Sequence, residues 1–539
     1  MRTLLVGLGA LLVASTTALG PARAEDSVPL RVGRVSLAEH GAGYRPTGSD
    51  WSRAAVNLPV ATGSALRTGG NGGAEFRLGD TIVALAGGSE AELTRLDPHI
   101  VRIALPHGRL AVAVRTLADQ DNIEIALPHG TVRLLQPGCY DIAAGSDTAP
   151  ARVAVLDGSA EFVGGGIDST IAAGSAARLD GAASIAASIE PAKPDSFDEA
   201  MQARVAEDET IASRIHLSPE LAGLAELDGA GEWRAVDGYG VAWFPEAIPD
   251  GWAPYRDGVW RWVPPWGWTW VDNAGWGFAP SHYGRWARID DRWAWFPGKA
   301  VAEPVYVPAV VAFVGTPGIG LSYADAFSPA IAWFPLGPGE VYWPGDIRDV
   351  DLIRRMNQAD IADPSAIRLA DNGGPPPEIV TADYQNRRFA SAVPRNAFLA
   401  GQQVASALLS IPSARLNWAP LILAAPFPPA PRPVAVAAAP ANAAVAAAAP
   451  RSAVVAAARA AVPALAAAAA NNRTHAATRH AAAAVHVAVL RRSGVQEHSA
   501  RPPAHLRVLA SLSTARSPTG TAQHPAAHRH LAALHGRMR

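Results

Sequence analysis

Twelve of the 16 Trp in this 539-residue chain fall between Trp233 and Trp295. Trp233 and Trp243, Trp260 and Trp270, and Trp286 and Trp295 form three pairs whose first members lie 27 and 26 residues apart. Within Arg261-Trp262-Val263 and Gly267-Trp268-Thr269-Trp270-Val271 the side chains alternate with period 2, as in a strand, and Asp257-Gly258, Asp272-Asn273 and Asp290-Asp291 supply turns. The segment predicts three hairpin-sized units. None can bury a core alone; stacked, they interleave indoles that each remove ~150–250 Å² from water.

Two readings of this array stand side by side. In one, the Trp are themselves the core of small sheets poor in Leu and Ile. In the other, Trp266, Trp268 and Trp270, separated by Gly267 and Thr269, point to one open face, while Trp260 and Trp262 share a face. An open aromatic face stacks on sugar rings or quaternary amines. His282, Tyr283 and Arg285 beside Trp286 form the best polar cluster, suited either to an anionic or sugar group or to satisfying buried backbone between repeats.

The chain carries 46 Lys+Arg against 48 Asp+Glu, which argues against general nucleic-acid binding. The average hides segregation: 13 Arg against one Glu after residue 424 give that part about +12 and leave about −14 for the rest. Residues 425–539, rich in Ala, Pro, Arg and His, read as a disordered low-complexity tail with too little apolar bulk for a core. At the other end, Met1-Arg2, the apolar Leu4–Ala18 stretch and Pro21-Ala22-Arg23-Ala24 read as a signal peptide (1–24) cleaved near Ala24. The expectation is a periplasmic or secreted protein with no transmembrane span in the mature chain.

Between Val32 and Leu179, short apolar or alternating runs are separated by Gly, Asp and Asn, which predicts a stacked β-sheet domain over 32–180. The hexapeptide Ile-Ala-Leu-Pro-His-Gly occurs at Ile103–Gly108 and again at Ile125–Gly130, 22 residues on, consistent with successive rungs. Pro106 and Pro128 then sit at strand ends, and Gly108 and Gly130 are free to take positive φ. The segments Leu58–Asp80, Gly108–Val112, Gly138–Ile142 and Val153–Phe162 resemble a FecR-type domain over about 150 residues. That resemblance implies an extracytoplasmic β domain built for protein contacts in envelope signalling. The cytoplasmic segment and inner-membrane helix of the signalling members are not matched, so no direct signal to a cytoplasmic sigma factor is expected.

Ser196-Phe197-Asp198-Glu199 has the form of a capping box and predicts a connecting helix over 195–216, solvated because its apolar stripe is loose. Beyond it, the Trp-rich repeat module is placed at 225–345 and a closing segment at 346–410. The strings Asp250–Trp260, Pro265–Asp272, Trp276–Trp286 and Ala332–Tyr342, with Asn386-Arg387-Arg388 and Ala392–Phe398, resemble an uncharacterised family of exported bacterial proteins. In that family a FecR-like domain precedes such a module. Gly258-Val259-Trp260-Arg261-Trp262 is also superficially similar to cell-wall-binding aromatic repeats, at a longer period.

Catalytic signatures are missing from the sequence: there is no His-Glu-x-x-His, Gly-x-Ser-x-Gly, phosphate loop or dinucleotide fingerprint. His107 and His129 lack a nearby third ligand for a metal, and the single Cys, Cys139, reads as a small buried hydrophobe. No cofactor, metal or catalytic residue is expected. The reading is a mainly β, non-enzymatic binding or scaffold protein whose partner is an envelope protein or a cell-wall glycan. The glycan alternative rests on Trp266, Trp268, Trp270, His282, Tyr283, Arg285 and Trp286, and an unrecognised enzyme is the third reading.

Overall fold

The computed structural model describes residues 29–423 except residues 30, 147, 182–183, 210–220, 316–320, 323–328 and 346. The expected signal peptide, residues 210–216 of the expected helix and the expected tail at 425–539 lie outside the described residues. The fold is mainly β. No described helix is long and apolar enough to cross a membrane.

Two nine-stranded sheets form the first domain. One runs from the edge strand Pro59–Val60 to the edge strand Ala186–Pro191, the other from Ser52–Arg53 to Ile167–Ala172. From Ala74 onward the chain mostly lays down two strands in one sheet before crossing to the other, so each new pair extends a sandwich already begun. Alternation makes this possible, because every second side chain faces the partner sheet. Val35, Phe76, Val83, Leu110, Ile142 and Val153 from one sheet meet Ile103, Leu105, Ile125, Val132 and Phe162 from the other.

The repeated hexapeptide lies side by side with itself. Ile103 is the register partner of Ile125 and Ala104 of Ala126, in the one parallel pairing among the described strands. Gly108 takes positive φ (+88°), but Gly130 does not. The reason for glycine at 130 is space: a Cβ there would meet the Phe162 ring at 2.4 Å.

The helix spans Ser196–Glu209 and corrects the sequence reading twice. Its cap is Asp195, whose carboxylate accepts from Phe197 N at 2.9 Å and Asp198 N at 3.3 Å, while the Asp195 amide donates to Asp198 Oδ2 at 3.0 Å. The capping box therefore sits one residue earlier than Ser196 and Glu199 suggest, because Arg109 holds Asp195 and Asp198 together (2.6 and 3.2 Å). Nor is the helix solvated on all sides. Met201, with Phe197 and Val205, covers Ile82, Ala111, Ala113 and Cys139 on the outer face of the first sheet. The apolar stripe is short because it has only this narrow patch to cover.

In the second domain the three Trp pairs are cross-strand neighbours. Trp233 faces Trp243, Trp260 faces Trp270 and Trp286 faces Trp295 in the hairpins Gly231–Pro245, Gly258–Asp272 and Arg285–Phe296. The hairpins do not stack in chain order. The first and third join through Trp243 and Trp295 into a four-stranded sheet, and the second stands apart as a two-stranded ribbon. A further sheet contains Val311–Val314 and Pro329–Pro335, flanked by Ser391–Pro394 and Leu421–Ile422. The closing segment thus belongs to the same core, and pairing continues to Ile422, past the expected boundary at 410.

Candidate functional site

The second hairpin is where the Trp array was expected to open outward. Its strands alternate Val and Trp, and the structure buries both faces. Val259, Val263 and Val271 join the core of the β-sandwich, while Trp260, Trp268 and Trp270 join the core of the Trp-rich module. Trp270 is 0% exposed and Trp268 8%. Phe398 packs on Trp268 and Trp260, its ring 4.6 and 5.5 Å from theirs. Trp266 does not share their strand. It precedes Gly267, which takes positive φ (+84°), and it is half-buried against both cores with Tyr306 at 5.0 Å. The open platform expected of Trp266, Trp268 and Trp270 is therefore replaced by packing; of this ribbon's indoles, Trp262 is the most open, at 42% exposed.

His282, Tyr283, Arg285 and Trp286 are all buried too, the first three lining one small cavity and Trp286 outside that lining. His282 ends the short helix Phe278–His282, and its Nδ1 lies 2.8 Å from the Val307 carbonyl. Burial lowers its pKa to about 3, so the ring is neutral. Burial also pushes the Tyr283 phenol up. Trp286 Nε1 donates to the Pro280 carbonyl at 2.8 Å. Arg285 donates to the carbonyls of Glu340 and Gly284 at 2.9 and 2.8 Å, to Asp360 Oδ2 at 2.9 Å and to Asn357 Oδ1 at 2.8 Å. The guanidinium is held on the hairpin's strand and tied to the helix Val350–Asn357 and its following turn. Tyr283 and Arg285 border a cavity of only about 30 Å³, room for water but not for a sugar.

The junction between the two domains carries residues that no motif announced. Asn57, itself at positive φ (68°), donates through its side-chain amide to the carbonyls of Asp272 (3.0 Å) and Ala274 (2.7 Å). Arg34 donates to Asn57 Oδ1 at 2.7 Å and forms an ion pair with Glu226. The Asp272 carboxylate accepts from Trp270 Nε1 at 2.8 Å and from Ala274 N at 2.9 Å. Burial raises its pKa to about 7, since these two bonds do not offset full desolvation. The sequence marked Asp272-Asn273 only as a turn.

Elsewhere the Trp-rich module opens into a surface cleft of about 450 Å³, between the loop 245–252 and the hairpin turn at 288–293. Half-buried Trp252 forms one wall and is met edge-on by Trp276 and Trp286 at 5.8 and 5.7 Å. Buried Trp293 lies in the lining with Arg288 and Arg292. The Arg292 guanidinium bonds Glu232 at 3.0 Å, and Arg288 bonds Asp291. His107, by contrast, pairs across its sheet with Glu90, and no group of three or more His, Cys, Asp or Glu suited to a metal occurs among the described residues.

Residues 224–340 match a family of unknown function (DUF6600). No curated protein matches the chain. Two crystal structures of a "putative anti-sigma factor" from Parabacteroides distasonis ATCC 8503, at 2.50 and 1.65 Å resolution, are similar at TM-score 0.23 with 13% and 12% identity. Each similarity covers 26% of this chain and 64% of the other, so the chain spans less than two thirds of their length. A likeness at that TM-score defines neither fold nor function.

Proposed function

We propose that the protein is exported to the bacterial envelope and acts there as a non-enzymatic binding or scaffold protein through a FecR-like β-sandwich and the Trp-rich module. The observation that carries this reading is the edge strand Ala186–Pro191. All six of its residues are exposed, it closes one end of a nine-stranded sheet, and Ile189 is 55% exposed. An edge with free N–H and C=O groups and an outward apolar side chain accepts an added strand from a partner.

The test is site-specific photo-crosslinking in cells, with the crosslinker at Ile189 and, as a control, at Asp168 on the edge of the other sheet. A discrete adduct at 189 that is absent at 168 supports the reading; equal or no adducts at the two positions sink it. Edman sequencing of the protein from the envelope fraction checks export, with Glu25 as the expected first residue.

A further inference from the structure

The cleft between residues 245–252 and 288–293 has the chemistry of a ligand site that is separate from the edge strand. Its volume of about 450 Å³ falls in the range of small-molecule sites. Trp252 packs against the indoles of Trp276 and Trp286 at steep angles and lines the cleft. The loop that carries it is pinned at both ends: the Glu246 amide donates to the Ala230 carbonyl at 2.9 Å, and Arg256 donates to the Gly251 carbonyl at 3.0 Å. Arg256 in turn bonds Ser391 Oγ at 2.9 Å, tying the loop to the closing strand. Between those anchors Ala247 sits at φ +52°, a conformation that an alanine adopts only when its surroundings enforce it.

Charge selects the occupant. The guanidiniums of Arg288 and Arg292 are already engaged by Asp291 and Glu232. The exposed carboxylates of Glu246 and Asp250 make no hydrogen bond or ion pair with the described residues and stand on the cleft's lining. Uncompensated carboxylates repel a phosphate or a uronate and accept from hydroxyls. Paired guanidiniums keep N–H groups to donate, and an indole stacks on the C–H face of a pyranose. We propose that this cleft binds uncharged pyranose rings of a polysaccharide, with Trp252 as the stacking platform and Asp250 and Glu246 as hydroxyl acceptors. The site stands or falls independently of a partner at Ile189.

The experiment is calorimetric and fluorimetric titration of the full chain with three probes: chitotetraose, cellotetraose and polygalacturonate. Saturable binding of at least one neutral oligosaccharide is expected. Trp252→Ala should weaken it by roughly tenfold or more, as loss of an aromatic anchor does. Asp250→Ala, at an exposed position that leaves the fold intact, should also weaken it. The proposal is overturned if neither neutral probe binds, if polygalacturonate binds as tightly, or if Asp250→Ala and Trp252→Ala both leave affinity unchanged. Crosslinking at Ile189 in the Asp250→Ala protein separates the two readings, since a lost sugar and a retained adduct assign them to different surfaces.

Discussion

The side chain of Asn57 donates to the backbone carbonyl of Asp272 at 3.0 Å, a contact between residues 215 apart in the chain that joins the β-sandwich to the Trp-rich ribbon. The same amide reaches Ala274, and its oxygen receives Arg34. One side chain thus satisfies a buried and a part-buried carbonyl and one buried cation.

Asn57→Ala should therefore destabilise the protein by about 1–3 kcal/mol, the cost of leaving buried polar groups unpaired. Chemical denaturation of the variant should still show one transition, because Val259, Val263 and Val271 keep the two cores continuous. Two resolved transitions would mean that Asn57, rather than the shared hairpin, couples the domains.

Asp272 and His282 give opposite dependences on pH. The Asp272 carboxyl, raised from 3.8 to about 7, holds its proton longer in the folded state, so its contribution to stability falls as pH rises from about 4 to 7. His282, lowered from 6.5 to about 3, resists protonation in the folded state, so its contribution falls as pH drops from about 6.5 to 3. Where the windows overlap the two slopes oppose, each at most about 1.4 kcal/mol per pH unit. Against the wild-type profile, Asp272→Asn should make the slope more positive between pH 4.5 and 6, and His282→Gln should make it more negative. Variants whose profiles run parallel to wild type would refute both assignments.

Arg285 and Asp360 form a buried ion pair, with side chains 2% and 5% exposed. Arg285→Met leaves the buried Asp360 carboxylate without its guanidinium partner and should cost about 3–5 kcal/mol. Arg285→Lys should be nearly as costly, since an ammonium cannot reach Glu340, Gly284, Asp360 and Asn357 together. Urea unfolding checks this, and a lysine variant as stable as wild type would contradict the geometry.

The helix cap separates two neighbouring residues. Asp195→Ala removes both the cap and an ion pair with Arg109 and should cost about 0.5–2 kcal/mol, whereas Ser196→Ala should change stability by a few tenths at most. Thermal melts followed by circular dichroism distinguish them; a larger loss at Ser196 would restore the cap to that residue.

What was legible from the sequence alone was local. Period-2 alternation and the regular spacing marked three hairpin-sized units and their Trp pairs, and the strands set Trp233 opposite Trp243, Trp260 opposite Trp270 and Trp286 opposite Trp295 across loops at 237–239, 264–266 and 290–291. The repeated hexapeptide likewise stacked on itself, since identical side chains fill equivalent rungs. Which Trp would be covered was not legible. Phe398 packs on Trp260 and Trp268 from far along the chain, and Val259 and Val271 reach into the other domain. Alternation tells which side chains share a face but not what will pack on it. For the same reason the cap is Asp195 and not the expected Ser196: Arg109, brought in by the sheet, holds Asp195 and Asp198. Strand identity and hairpin register came from the chain's own short-range chemistry; burial, the domain junction and the open cleft were decided by long-range packing, which carries no periodic signal.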